Sequence, residues 1–247
     1  MCDQCPKAPA GWQGWIDLPE PGPFVPMGDW IDLTHPVSPA MPCASIFPTP
    51  RFQRLRSLPD DPFNVTEIRM VAHAGTHVDA PLHYYADGPD AAAIPLDRLH
   101  GPGVVWHIDA EPDQVIDVPT LEKCRPLLQA GDILALDTGW AARAGTPDYE
   151  RHPSLSAAAG AWLVDRRIKL LACDFATPDL VYHLRQPGFD WPVHRALLSR
   201  GILICEHLTG HAVLVGEHVE FQFGALPVVN GDGAPARVIA RRIQHQG

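Results

Sequence analysis

The sequence predicts a mixed α/β fold in one domain, on three observations. Short apolar runs suited to buried strands alternate with cap-marked helical segments beyond residue 100, as in GDILALDTGW (131–140) and KLLACDF (169–175). No internal repeat or linker breaks the pattern after residue 30. The 247 residues, 46% of them hydrophobic, are enough to fill a real core.

Taken in order, residues 1–29 are rich in Pro and Gly, which favours an irregular arm ahead of a domain over 30–247. Trp12, Trp15 and Trp30 demand burial, so the arm is expected to pack on its own domain or on a neighbouring subunit. WIDLTHPVSP, from Trp30, reads as a short strand stopped by prolines. PFNVTEIRMVAHAG (62–75) alternates apolar and polar residues as a half-buried strand does. GVVWHID (103–109) is a further strand, and TLEKCRPLL reads as a short helix with Thr120 as N-cap. SLSAAAGAWLVDRRI (154–168) has helix-forming alanines and a cap-type serine, and it runs into the KLLACDF strand. DWPVHRALLSR (190–200) is a helix with Asp190 as N-cap, Pro192 in its first turn and Gly201 as its stop. GILICEHL then forms a buried strand, and FQFGALPVV and APARVIARRI are closing strands joined by the turn NGDG.

The formal charge of −10, with no run of Lys or Arg, disfavours nucleic acid and leaves a small molecule as the expected partner. The N-terminus lacks the basic and apolar regions of a signal peptide, and no apolar run approaches the ~20 residues of a membrane helix. A soluble, cytoplasmic protein is expected, with no membrane partner. Six cysteines, at 2, 5, 43, 124, 173 and 205, suit reduced thiols; the Cys2–Cys5 CxxC reads as part of a tail rather than as a redox or zinc site.

Ligand-type side chains concentrate in HAGTHVDAPLH, residues 73–83. The spacings from His73 to His77, Asp79 and His83 are 4, 2 and 4, all even, so an unbroken strand would point the four side chains to one face. Four residues of strand cover roughly 13 Å, too far for two side chains to reach one ion, so the chain must bend between His73 and His77. Gly75 permits the bend. A helix would carry Asp79 about 200° around from His77 and would be broken at Pro81, so a bent strand or loop is expected. Two imidazoles and a carboxylate leave coordination open for water, which is the pattern of a catalytic Zn²⁺ or Mn²⁺ site. His83 is the spare member, either a fourth ligand or a base beside the ion. The bland alternative is a set of hydrogen-bonded histidines at a strand edge.

HAGTHVDAPLHYY resembles the HxGTHxDxPxH signature of the metal-dependent cyclase family, which includes bacterial kynurenine formamidases and isatin hydrolases. Weaker similarities, DLTHPVSP, LALDTGW, LACDFATPD, PVHRALLSRGILICEHLTG and ALPVVNGDGAPARVIA, extend it over roughly residues 30–241. The resemblance implies a swivelling β/β/α fold, usually dimeric or tetrameric, in which an N-terminal segment helps complete the neighbour's site. It implies His73, His77 and Asp79 as metal ligands and His83 as general acid/base. It also implies a second ion, held by His194 and Glu206 and sharing Asp79 as a bridge. MPCASIFPTP (41–50) departs from the family's pattern, which leaves the pocket shape open. So does CEHLTGH, whose His207 and His211 either line the pocket or offer rival ligands, with a structural or supporting role the favoured reading.

The implied activity is hydrolysis of a small aryl formamide, or opening of a cyclic amide such as isatin, by metal-activated water. The alternatives are lactone hydrolysis, a cyclisation in secondary metabolism, a non-catalytic metal-binding protein, and an interaction module resting on the aromatic arm. A serine mechanism lacks a G-x-S-x-G elbow.

Overall fold

The computed structural model describes residues 9–245, so Cys2 and Cys5 lie outside the described residues. Twelve strands form: β1 (Phe24–Asp32), β2 (Arg51–Arg56), β3 (Val65–Arg69), β4 (His77–Asp79), β5 (His100–His107), β6 (Val115–Ile116), β7 (Ile133–Asp137), β8 (Ser154–Leu155), β9 (Leu170–Cys173), β10 (Leu203–Glu206), β11 (His218–Ala225) and β12 (Gly233–His245). The α-helices are α1 (Val118–Leu121), α2 (Ala157–Asp165) and α3 (Pro192–Leu198).

The main sheet runs β1-β12-β11-β5-β7-β9-β10-β4, and β4 also pairs with β12, so seven of its strands close into a barrel-like ring with β1 attached outside. The β5-β7-β9-β10 run is parallel and the remaining pairings are antiparallel, which makes the sheet mixed. This is the mixed α/β architecture expected from the sequence.

Strand alternation sorts the core into two layers. Ile133, Ala135, Leu170, Ala172, Leu203 and Cys205 join Val78, Phe221 and Val238 in a cluster to which every ring strand contributes, the filling of the ring. The intervening Leu134, Leu136, Leu171, Cys173 and Ile204 pack outward with Leu163 of α2 and Val193 and Leu197 of α3. This outer face carries the site. His77 and Asp79 flank the inward-facing Val78, and Glu206 lies two residues from the outward-facing Ile204, so all three side chains project toward the helices.

Several local expectations are revised. β1 begins at Phe24, within the stretch expected to be irregular, because β12 is long enough to pair with it as well as with β4. β3 is exposed along nearly its whole length rather than half-buried, because it pairs only with β2 in a separate two-stranded sheet. α1 is capped by Asp117, whose side chain accepts from Val118 N, not by Thr120. At α2, Ser156 is the N-cap and accepts from Ala159 N. The arm from Pro9 onward packs on its own fold: Gln13 N and Ile16 N donate to Ser199 O and Arg200 O, and Trp12 and Trp15 meet edge to face at 5.3 Å.

Among the described residues no helix is long and apolar enough to cross a membrane, and Cys43, Cys124, Cys173 and Cys205 are free thiols.

Candidate active site

The bend expected at Gly75 is present. Gly75 has φ +66°, and residues 72–76 form a turn that delivers the chain into β4. A Cβ at Gly75 would lie 2.8 Å from Met41 Sδ. Gly75→Ala therefore combines left-handed strain with a clash against a buried side chain. It is expected to lower stability by about 1–3 kcal/mol and to reduce metal content, read by thermal melting and by metal analysis of the purified protein.

Register does the next part of the assembly. In the β4–β10 pair His77 lies opposite Glu206 and Asp79 opposite Ile204, so the His77 and Glu206 side chains are cross-strand neighbours. α3 brings His194 over them from the outer layer. Its N-cap is Trp191, in the left-handed region and without a capping side chain, rather than Asp190. Capping comes instead from the buried Asp179, whose carboxylate accepts from Val193 N and His194 N at 3.0 Å each.

Each of three histidines is anchored through one ring nitrogen and presents the other to a carboxylate. His77 Nδ1 bonds Gly75 O at 2.8 Å, so its donor role is fixed and Nε2 points at Asp79 Oδ1 (3.2 Å) and Glu206 Oε2 (3.4 Å). His194 Nδ1 bonds Asp179 Oδ2 at 2.7 Å, and Nε2 faces Asp79 Oδ2 (3.4 Å) and Glu206 Oε1 (3.3 Å). His73 Nε2 bonds Asp232 Oδ2 at 2.9 Å, and Nδ1 meets Asp79 Oδ1 at 2.8 Å. Asp79 is the hub, with one oxygen toward His73 and His77 and the other toward His194. Backbone or carboxylate partners behind ligating imidazoles are the arrangement that orients metal ligands.

The electrostatics of the cluster favour positive charge. Burial works against an imidazolium at His77 and His73, but the carboxylates around them outweigh it and hold His77 up at about 10 and His73 at about 9. Burial and the like charge of Asp79 push Glu206 upward, yet His194 and His77 hold it down at about 2. The pocket thus stabilises positive charge strongly. His77 Nε2, Asp79 Oδ2 and Glu206 Oε1 are nevertheless buried without a hydrogen-bond partner. Three convergent donor atoms left unsatisfied, of imidazole and carboxylate type, fit a divalent cation.

His83 ends a short 3₁₀ turn, Pro81–His83, with its ring 4.1 Å from that of His73 and its Nδ1 3.3 Å from Asp232 Oδ2. The same carboxylate therefore holds both His73 and His83. Asp179 and Asp232 escaped sequence reasoning. Asp232 lies in NGDG, where an aspartate signals a turn, and Asp179 acts 15 residues from its partner with no local signature. His207 lines the cavity, buried at φ +58°, with Nδ1 2.6 Å from Tyr149 Oη; burial, reinforced by His77, pushes it down to about 3. His211 turns away to Leu136 O at 3.1 Å and groups with Asp137 and Asp174.

Above the cluster opens a cavity whose walls mix aromatic side chains with the ligand-type groups of the cluster. Its walls include Phe47, Tyr84 and Trp191, with Phe47 stacked 6.3 Å from His73 and Tyr84 4.8 Å from His194. The 41–50 segment supplies Ala44, Ile46 and Phe47 to this lining.

The sequence model of the cyclase family, described as "Putative cyclase", matches residues 31–180. The chain belongs to the cyclase family. The chain is 32% identical over 225 residues to a kynurenine formamidase of Bordetella petrii, covering 86% of this chain and 97% of that one. Isatin hydrolase A from Ralstonia solanacearum shares the fold at a TM-score of 0.75 and 23% identity, over 86% of this chain and 91% of that one. A structure described as a potential metal-dependent hydrolase with cyclase activity matches at a TM-score of 0.70 and 25% identity, over 89% and 99% of the two chains.

Proposed function

We propose that this protein is a metal-dependent hydrolase that cleaves the C–N bond of a small aryl formamide, as in N-formylkynurenine, or opens a cyclic amide such as isatin. The observation that carries this reading is the set of three anchored imidazoles turned on two buried carboxylates at the floor of an aromatic-walled cavity. The kinship with kynurenine formamidases and the fold shared with isatin hydrolases support the substrate range.

His73, His77 and Asp79 would hold one Zn²⁺ or Mn²⁺ ion, and His194 and Glu206 a second that shares Asp79. When bound, these ions supply Lewis acidity that activates water near neutral pH and stabilises negative charge on the attacked carbonyl oxygen. Asp232 holds His83 through Nδ1, which leaves Nε2 to take a proton from the nucleophile and return it to the leaving nitrogen. Phe47, Tyr84 and Trp191 bind the aryl ring and keep bulk water from the reacting bond. A cytoplasmic location belongs to this reading, as does assembly into a homodimer or homotetramer. Support for assembly comes from the β2–β3 hairpin region, where Leu55, Phe63 and Ile68 are each at least half exposed. Sedimentation that finds only monomers would remove that part.

The test is turnover of N-formylkynurenine, isatin and formanilide by metal-loaded and chelator-treated protein. Hydrolysis of at least one amide, lost on chelation and restored by Zn²⁺ or Mn²⁺, is expected. Inactivity toward all three after full loading contradicts the reading.

A further inference from the structure

His207 follows Glu206 at the end of β10 and faces the same cavity, but its environment differs from that of the anchored trio. Tyr149 is buried against it, Oη to Nδ1 at 2.6 Å, with the two rings stacked at 5.7 Å. Among the described residues the Tyr149 hydroxyl makes no other hydrogen bond, and with that hydroxyl as the donor His207 Nδ1 is the acceptor. A neutral imidazole that accepts at Nδ1 carries its hydrogen at Nε2. The ring is also fixed in place: His207 N donates to Phe175 O at 3.1 Å, His207 O accepts from Thr76 Oγ1 at 2.7 Å, and the ring stands 5.6 Å from that of His77. With Nδ1 committed, the Nε2–H edge is what His207 offers to the cavity it lines.

A ligand atom of His207 lies within 4.8 Å of those of His77 and Glu206, so the tautomer decides its role: hydrogen on Nε2 leaves that nitrogen no lone pair for an ion. That nitrogen can donate to an oxygen, and a donor held beside the cluster is placed to receive the charge that develops on an attacked carbonyl. We propose that His207 is a hydrogen-bond donor to the substrate's carbonyl oxygen, through Nε2–H, and that Tyr149 is the positioning residue that fixes this tautomer. The inference rests on the amide-hydrolase reading for its substrate, and not for the tautomer or for the non-ligand role.

The experiment combines three readouts on the full chain loaded with Zn²⁺: metal content, steady-state kinetics on formanilide, and ¹⁵N NMR of the imidazoles. In the parent protein, Nδ1 of His207 is expected to be unprotonated and Nε2 protonated, an arrangement lost in Tyr149→Phe. His207→Ala is expected to keep the parent metal content while kcat falls by about 10²-fold. His207→Asn, which tolerates the left-handed backbone and keeps an N–H donor, is expected to retain more of kcat than His207→Ala. Tyr149→Phe is expected to lower kcat more than it changes KM, with metal content intact.

Loss of metal in His207→Ala, or a parent spectrum with hydrogen on Nδ1, overturns the proposal. So does an unchanged kcat in His207→Ala. If the parent protein hydrolyses no amide, the functional reading fails separately, while the spectrum and the metal content still decide whether His207 is a donor or a ligand.

Discussion

Asp79→Asn, at the shared ligand of the proposed two-ion site, is expected to abolish metal binding and to lower kcat/KM by about 10³-fold. The substitution keeps the side chain's volume and removes its charge. Asp79 is 1% exposed, and its two oxygens are divided between His73 and His77 on one side and His194 on the other. An amide there can turn its oxygen toward only one side, and its NH₂ group then opposes a cation on the other. Metal analysis of the purified variant, with turnover on the same sample, checks the expectation. Retention of one full equivalent with near-parent activity would show that Asp79 is not the shared ligand.

His83→Ala is expected to give the opposite separation of effects, with metal content retained and kcat reduced by about 10²- to 10⁴-fold, the range for loss of a positioned acid/base. The geometry offers two roles for His83. Its ligand atom lies within 4.8 Å of those of His73 and Asp79, close enough to join an ion there. But His83 stacks against His73 and leans on Asp232, its side chain is 24% exposed, and it borders the cavity, which suits a group that exchanges protons with substrate. A ligand role predicts loss of metal along with activity, so measuring both on one preparation separates the roles. Asp232→Asn, which weakens the support of both His73 and His83, is expected to reduce both quantities partially.

Much of this site is legible in eleven residues. The need for a bend between His73 and His77 follows from strand geometry, and Gly75 with its positive φ meets it. The short apolar runs at 131–140 and 169–175 predict strands correctly because strands buried on both faces of a closed ring are apolar along their whole length. Away from the ring the pattern misleads: β3 alternates, yet it stands in a two-stranded sheet with β2 and four of its five residues are exposed. Helix 192–198 is legible from Pro192 and Gly201, but its capping carboxylate is not, because Asp179 reaches it through space from another segment. Asp232 is hidden for the same reason. A carboxylate 159 residues from the histidine it orients leaves no periodic or spacing signal. His194 and Glu206 enter through family resemblance, and the cross-strand placement of Glu206 beside His77 supplies the physical reason for their proximity.

The central claim is that Asp79 lies between two ions in a hydrolytic site. Anomalous diffraction from crystals grown with Mn²⁺ tests it directly. The account predicts two peaks flanking the Asp79 carboxylate, one toward His73 and His77 and the other toward His194 and Glu206. A peak only at the separate Asp137, Asp174 and His211 cluster, with none at Asp79, would contradict it.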